Sequence, residues 1–178
     1  MHELTPGMCP AYSNDIRLFR NTAKFIGSLS GRVADMGCSN SKSEYLSKYF
    51  DIEIDQIDCD FNFDALPMFK YDVVLCFEVI EHLQNPLLFM TNLKGMLKPG
   101  GVIYLSTPER IRILQNNPYH FIEMNAKHLD RWILSPLKLR VLRSTRELIF
   151  HNWRFHLTGL RPLLRMFLDR TRIYEIVI

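Results

Sequence analysis

Two carboxylates and an imidazole follow one apolar run: Glu78, Glu81 and His82 stand just after YDVVLCF, inside the segment CFEVIEHLQNP of residues 76–86. If that segment turns helically, Glu81 and His82 lie three and four positions on from Glu78 and share its side. Carboxylates pressed together repel, and one is driven to hold its proton unless a cation relieves it. A divalent ion would do so. Carboxylate with imidazole suits magnesium, manganese or zinc and leaves open positions for water or a substrate oxygen. The alternative is that these residues merely start a helix.

A second set of residues has the chemistry of a nucleotide site. Asp35-Met36-Gly37-Cys38-Ser39-Asn40-Ser41 is a turn of small residues at the end of the apolar run GRVADMG. Gly37 permits a tight turn, and small neighbours let backbone N–H groups approach a ligand at the start of a helix. Asp58 ends the next apolar segment, IEIDQID, 23 residues after Asp35. That is close to the roughly 20 residues expected between a nucleotide-binding turn and the acid that accepts hydrogen bonds from a ribose diol. Serine and asparagine also simply cap helices, so the turn by itself decides little.

Such side chains need a frame. The spacing of Ile16, Phe19, Ala23, Ile26 and Leu29 predicts an amphipathic helix from Asn14 to Leu29, capped by Ser13 or Asn14. GRVADMG and IEIDQID read as strands, with SKSEYLSKYF helical between them. YDVVLCF is apolar almost throughout, as in a strand covered on both faces. Asn85 and Pro86 form a cap and first-turn pair for a helix that buries Leu87, Met90, Leu93 and Leu97. KPGG stops that helix, and GVIYLSTP is a further strand. The alternation predicts an α/β fold: a Rossmann-like, doubly wound, mostly parallel sheet with helices on both faces. In such folds ligands bind beyond the carboxyl ends of the strands, where both residue sets fall.

At 178 residues, 47% hydrophobic and 23% charged, the chain has the length and chemistry of one globular domain. The expected layout is a helical segment over 1–31, a cofactor-binding core over 32–134, and basic strands and a helix over 135–178. The opening MHELTPGMCPAYSND has neither a basic n-region nor an apolar h-region, and no run is long enough to span a bilayer, so a cytoplasmic location is expected. Cys9, Cys38, Cys59 and Cys76 lack any C-x-x-C spacing and read as reduced thiols. The net charge of +3 hides a split: residues 1–126 carry 11 Lys and Arg against 15 Asp and Glu, residues 127–178 carry 11 against 4. A basic tail suits an anionic substrate, nucleic acid, a lipid surface or merely a solvated face.

The quoted stretches resemble those of the class I S-adenosylmethionine-dependent methyltransferases. VADMGCSNS is similar to their glycine-rich first motif, IDCD to the strand bearing the ribose acid, and FKYDVVLCFEVIEHLQNP to the fourth strand and the segment after it. LKGMLKPGGVIYLSTPE is similar to their next helix, turn and strand, and NPYHFIEMNAKHLDRWI to the entry into a later helix. The resemblance covers about Arg32 to Ile133. It implies S-adenosylmethionine as cofactor, with Asp35, Gly37, Cys38 and Ser39 by the methionyl end and Asp58 and Cys59 by the ribose. Asp64 and Ala65 would line the adenine, and Phe77 and Glu78 would be further cofactor-binding residues. Ser39 and Ser41 stand where the family prefers glycine. Only five residues separate Asp58 from Asp64, so the usual third strand has no room there. A nicotinamide-binding enzyme would want glycines at those serines and has no use for EVIEHL.

The resemblance also implies roles for the first set of residues. Glu78, Glu81, His82 and His120, the last in NPYHF, match the metal ligands of O-methyltransferases that act on ubiquinone precursors or on the terminal ribose of small RNAs. The segments by which the latter hold an RNA end are not found, and nucleic acid is not the expected partner. Magnesium or manganese would bind and acidify adjacent hydroxyls of the acceptor. Without a metal, His82 or His120 would be the general base, unless His120 is a loop residue bonding backbone; His128 reads as a solvated helix residue. The expected acceptor is an oxygen of a small-molecule or glycosidic compound; a non-catalytic cofactor-binding module is the alternative. In the tail, KLRVLRS and RTRIYEIVI read as strands and LRPLLRMFLDR as a basic amphipathic helix able to touch lipid. Trp153, Phe155 and His156 read as core or as a lid.

Overall fold

A computed structural model describes residues 16–109, 120–149, 159 and 170–178. In chain order the elements are α1 (Ile16–Ile26), β1 (Val33–Met36), α2 (Ser41–Phe50), β2 (Ile54–Ile57) and β3 (Tyr71–Phe77). A 3-10 turn (Ile80–His82), α3 (Pro86–Met96) and β4 (Leu97–Pro108) come next. Then come α4 (Ala126–Leu129), which continues into a π-helical turn (Asp130–Leu134), β5 (Arg140–Leu148) and β6 (Arg170–Val177).

The strands form one sheet in the order β2-β1-β3-β4-β6-β5. β1 pairs in parallel with β2 and β3, and β3 with β4, whereas β6 is antiparallel to both β4 and β5. Five strands therefore share one direction and only β6 opposes them, which is the mostly parallel α/β sheet expected. Between Ile57 and Tyr71 the chain forms neither strand nor helix, so β2 is an edge among the described residues.

β3 explains how the layers assemble. Its side chains alternate: Val73, Leu75 and Phe77 join Ala23 and Ile26 of α1 and Leu46 of α2 in one cluster. Val74 and Cys76 join Phe89, Met90 and Leu93 of α3, and Leu129 and Ile133, in the other. A period of two on a strand with helices above and below yields one continuous apolar run, because both faces are dry. The two helices after small-residue turns begin as their caps dictate. Asn40 accepts from the N–H groups of Lys42 and Ser43 at 3.0 Å each, and Asn85 from Leu88 at 3.0 Å, with Pro86 in the first turn.

Four details differ from expectation. Leu87 is 38% exposed while Phe89 is 1% exposed, because α3 buries 89, 90, 93 and 96 rather than a stripe starting at 87. Ile16 is likewise exposed at the start of α1. Leu97 already pairs with Tyr71, and the chain bulges through Lys98–Gly101 before Val102 pairs with Val73. Gly100, at φ 78°, turns that bulge in a region that favours glycine. Cys59 and Cys76 are free, but Cys38 is disulfide-bonded; an isolated pairing leaves no spacing signature in a sequence.

The basic tail spends part of its charge internally. Arg143 Nε meets Glu175 at 2.5 Å, and Arg146 and Arg172 both meet Glu109 at 2.8 Å. KLRVLRS and RTRIYEIVI are the strands β5 and β6, whereas Ser13, Asn14, LRPLLRMFLDR, Trp153, Phe155 and His156 lie outside the described residues, Arg170 apart. Among the described residues no helix is long and apolar enough to cross a membrane.

Candidate functional site

Parallel strands deliver their carboxyl ends to one rim, and the sequence-predicted residues gather there. Near the end of β1 stands Asp35, 3% exposed, whose carboxylate accepts a hydrogen bond from Ser43 Oγ in the first turn of α2. Gly37 adopts φ 127° and donates its N–H to Ile57 O of β2 at 2.9 Å. A Cβ placed on Gly37 would meet no atom within 4 Å, so the glycine serves the backbone conformation and leaves open space above the turn. Cys38 is half-buried and Ser39 exposed.

At the end of β2, Asp58 is exposed and Cys59 half-buried. Burial, and then the acids Asp64, Asp58 and Asp60, push the Cys59 thiol above its ordinary value. Asp64 is turned back into its own loop, accepting from Asp60 N–H at 2.8 Å, while Asp60 accepts from Asn62 N–H at 3.0 Å. Asn62 Oδ1 accepts from Gln84 N–H at 2.8 Å, and Phe61 packs on Phe89 with ring centroids 5.2 Å apart. The turn that carries Asp64 and the exposed Ala65 is thereby fastened to the entrance of α3.

Burial pushes the Asp35 carboxyl up to about 6 from an ordinary 3.8, against the lowering effects of Ser43 and Lys42. As pH rises from 3.8 to about 6, the unfolded chain ionises at this position while the folded one keeps its proton, so the folded state loses stability across that window. Asp35→Asn should flatten this part of the pH–stability curve, a slope worth about 1.4 kcal/mol per pH unit where it is steepest. Urea unfolding at pH 4, 5 and 6 would show an unchanged slope if Asp35 titrated alike in both states.

At the end of β3 the backbone of Glu78 takes φ 55°, an uncommon conformation for a side chain of this size. It turns the carboxylate across the sheet, where Oε1 accepts from Ser106 Oγ and Thr171 Oγ1 at 2.6 Å each. Glu81 comes next on the 3-10 turn and is 1% exposed. Its Oε2 accepts from Thr107 Oγ1 at 3.3 Å, and its Oε1 has no partner among the described residues. Burial, reinforced by the neighbouring Glu78, holds the Glu81 carboxyl well above the usual carboxylate range.

His120 reaches this turn through the backbone. The N–H groups of Phe121 and Ile122 both donate to Glu81 O, at 2.8 and 3.3 Å. The His82 and His120 rings then meet edge to face, centroids 4.8 Å apart. His120 Nδ1 lies 2.8 Å from Glu123 Oε1, so the carboxylate orients the ring and leaves Nε2 as its outward-facing nitrogen. Glu81, His82 and His120 each offer one ligand atom, and these atoms lie within 4.8 Å of one another. Glu78 is not one of that trio: it neighbours Glu81, but its Oε1 is occupied by Ser106 and Thr171.

Several site residues carried no sequence signal: Lys42, Ser43, Ser106, Thr107, Glu147 and Thr171. Only the H-x-x-E spacing of His120 and Glu123 was there to be read. Lys42 is 4% exposed and Glu147 7% exposed, both facing Glu78. Burial lowers the Lys42 ammonium and raises the Glu147 carboxyl to about 7.

This sheet, with its lone reversed strand and its glycine turn beside an acid-tipped neighbour, defines the class I methyltransferase fold. It aligns over 90% of this chain with 93% of a SAM-dependent methyltransferase from Archaeoglobus fulgidus, at TM-score 0.60 and 16% identity. The family model described as a methyltransferase domain matches residues 12–145, and the chain belongs to that family. Over 69 residues it is 44% identical to a probable S-adenosylmethionine-dependent methyltransferase of Mycolicibacterium smegmatis, covering 36% of this chain and 27% of the relative. Over 53 residues it is 43% identical to a ubiquinone biosynthesis O-methyltransferase of Haemophilus ducreyi, covering 30% and 22%. The chain thus spans about a quarter of the length of these curated relatives.

Proposed function

We propose that the protein transfers a methyl group from S-adenosylmethionine to an oxygen of a small-molecule or glycosidic acceptor. The observation that carries this reading is the open turn at Gly37 lying between Asp35 and the exposed Asp58 at the ends of paired parallel strands. These residues fit the cofactor. Asp35, Gly37, Cys38 and Ser39 would border its methionyl end, Asp58 and Cys59 its ribose, Asp64 and Ala65 its adenine, and Phe77 and Glu78 the wall toward the acceptor.

When bound, the cofactor supplies a sulfonium methyl that is already activated, so the protein's tasks are alignment and proton removal. Glu81, His82 and His120 suit the second task. The orphaned Oε1 of Glu81, buried beside two imidazoles, fits a divalent cation, and so mixed a donor set favours manganese over magnesium. These three residues would hold it, and it would acidify the acceptor hydroxyl. In the absence of metal, His120 Nε2 would take the proton; the contact of His120 Nδ1 with Glu123 and of its ring with His82 supports this. The name of the Haemophilus ducreyi relative supports oxygen as the acceptor atom.

The test is calorimetry with S-adenosylhomocysteine, which should bind and raise the melting temperature. Asp58→Ala should weaken it roughly 10- to 100-fold, the loss of one charged hydrogen bond of about 1–3 kcal/mol. No heat and no thermal shift at millimolar ligand would refute the cofactor reading. An unaltered affinity in the variant would move the ribose contact to another residue.

A further inference from the structure

A lysine in the first turn of a helix normally extends into water, its stem along the surface and its ammonium solvated. Lys42 does the opposite. Its neighbours Ser41 and Glu44 are exposed, yet Lys42 is 4% exposed and its Nζ lies 3.7 Å from the centroid of the Phe77 ring. It faces the carboxylates of Glu78, Glu147 and Asp35. Asp35 is the penultimate residue of β1, and Phe77 ends β3 with Glu78 immediately after it. The ammonium therefore occupies the rim between the two strand ends to which the proposed function assigns the methionyl half of the cofactor.

The cluster is not a closed ion pair. Glu147 is the only residue of β5 that is buried, and its Oε2 has no hydrogen-bond partner among the described residues. Its register partner Thr171 donates instead to Glu78. One cation is thus shared among three carboxylates, with acceptor capacity to spare. A buried charge held this way acts strongly on any other charge brought beside it, because little water remains to screen it.

S-adenosylmethionine and S-adenosylhomocysteine share every recognition group except the sulfur, a sulfonium cation in the first and a neutral thioether in the second. We propose that Lys42 is a specificity-determining residue of the cofactor cleft: its ammonium disfavours the sulfonium relative to the thioether. The inference rests on the cofactor reading above.

Calorimetry on the full chain with both ligands tests it. Lys42→Met keeps most of the apolar stem and removes the charge. The expected result is that the ratio of the two dissociation constants shifts about tenfold toward the sulfonium, while Lys42→Arg keeps the wild-type ratio. Glu147→Gln, which removes a negative charge from the same cluster, should shift the ratio the other way and gives a second variant should Lys42→Met fail to fold. If Lys42 instead anchored the carboxylate common to both ligands, Lys42→Met would weaken both equally. An unchanged ratio in Lys42→Met, or in Glu147→Gln if only that variant folds, overturns the proposal. Failure of the wild-type protein to bind either ligand would refute the cofactor reading itself, a different outcome from binding with an unmoved ratio.

Discussion

Manganese should raise the melting temperature of the protein, and Glu81→Ala and His82→Ala should each erase the rise. A ligand at 100 times its dissociation constant stabilises by about 2.7 kcal/mol, which for a chain of this length is a shift of about 5–10 °C. The expectation comes from three ligand atoms gathered within 4.8 Å, one of them on a carboxylate that is 1% exposed and has an unpartnered oxygen. Because burial raises the Glu81 carboxyl and a metal competes with its proton, the shift should shrink as pH falls. S-adenosylhomocysteine affinity should stay nearly intact in both variants, since the trio lies beyond Glu78 from the nucleotide turn. Glu78→Ala separates two ligand sets: loss of the manganese shift there as well would bring Glu78 into the coordination sphere. No shift with millimolar manganese, in wild-type protein that binds cofactor, would leave the trio as a metal-free proton relay, and activity in chelator would then be undiminished.

Phe89→Ala should cost about 3–5 kcal/mol of folding stability, the range for emptying a buried aromatic site. Phe89 is 1% exposed, sits in the cluster that joins α3 to β1, β3 and β4, and contacts Phe61 at 5.2 Å. Against a total stability of about 5–15 kcal/mol the loss is a large fraction. The urea midpoint should drop with the slope of the transition preserved. A cost below about 1 kcal/mol would mean that the surrounding side chains collapse into the space. The same substitution removes the surface on which the Phe61–Asp64 turn rests. A parallel fall in S-adenosylhomocysteine affinity would place that turn against the adenine, and an unchanged affinity would place the adenine elsewhere.

The strand ends were legible because their signals are local. YDVVLCF is apolar on both faces, Asn85 and Pro86 mark a helix start, and the distance from Asp35 to Asp58 is that of one strand–helix–strand unit. Even His120 was legible beside His82, though only through the resemblance; the backbone bonds to Glu81 O that bring it there lie outside any local pattern. What stayed hidden is set by distant partners. Leu87, Leu88, Phe89 and Met90 are consecutive apolar residues, so periodicity could not fix which of them faces the sheet. Lys42 reads as a solvated helix residue until Phe77, Glu78 and Glu147 surround it, and Glu147 is an acid within an otherwise basic strand. Ser106 and Thr171 gain their role only because β4 and β6 pair beside the turn at Glu78.

Among the described residues, β2 has no strand on its outer flank. In a sheet assembled from strand–helix units, a unit at the end of the order touches one neighbour, whereas one in the middle holds two together. Omitting the unit beyond β2 leaves both core clusters closed, because neither draws on anything further out than β2 and the 58–70 connection. Along that connection Phe63, Met68 and Phe69 are 79%, 96% and 58% exposed. The strand ends of β1 and β3, which carry the site, thus lie inside the sheet, while β2 forms its margin among the described residues.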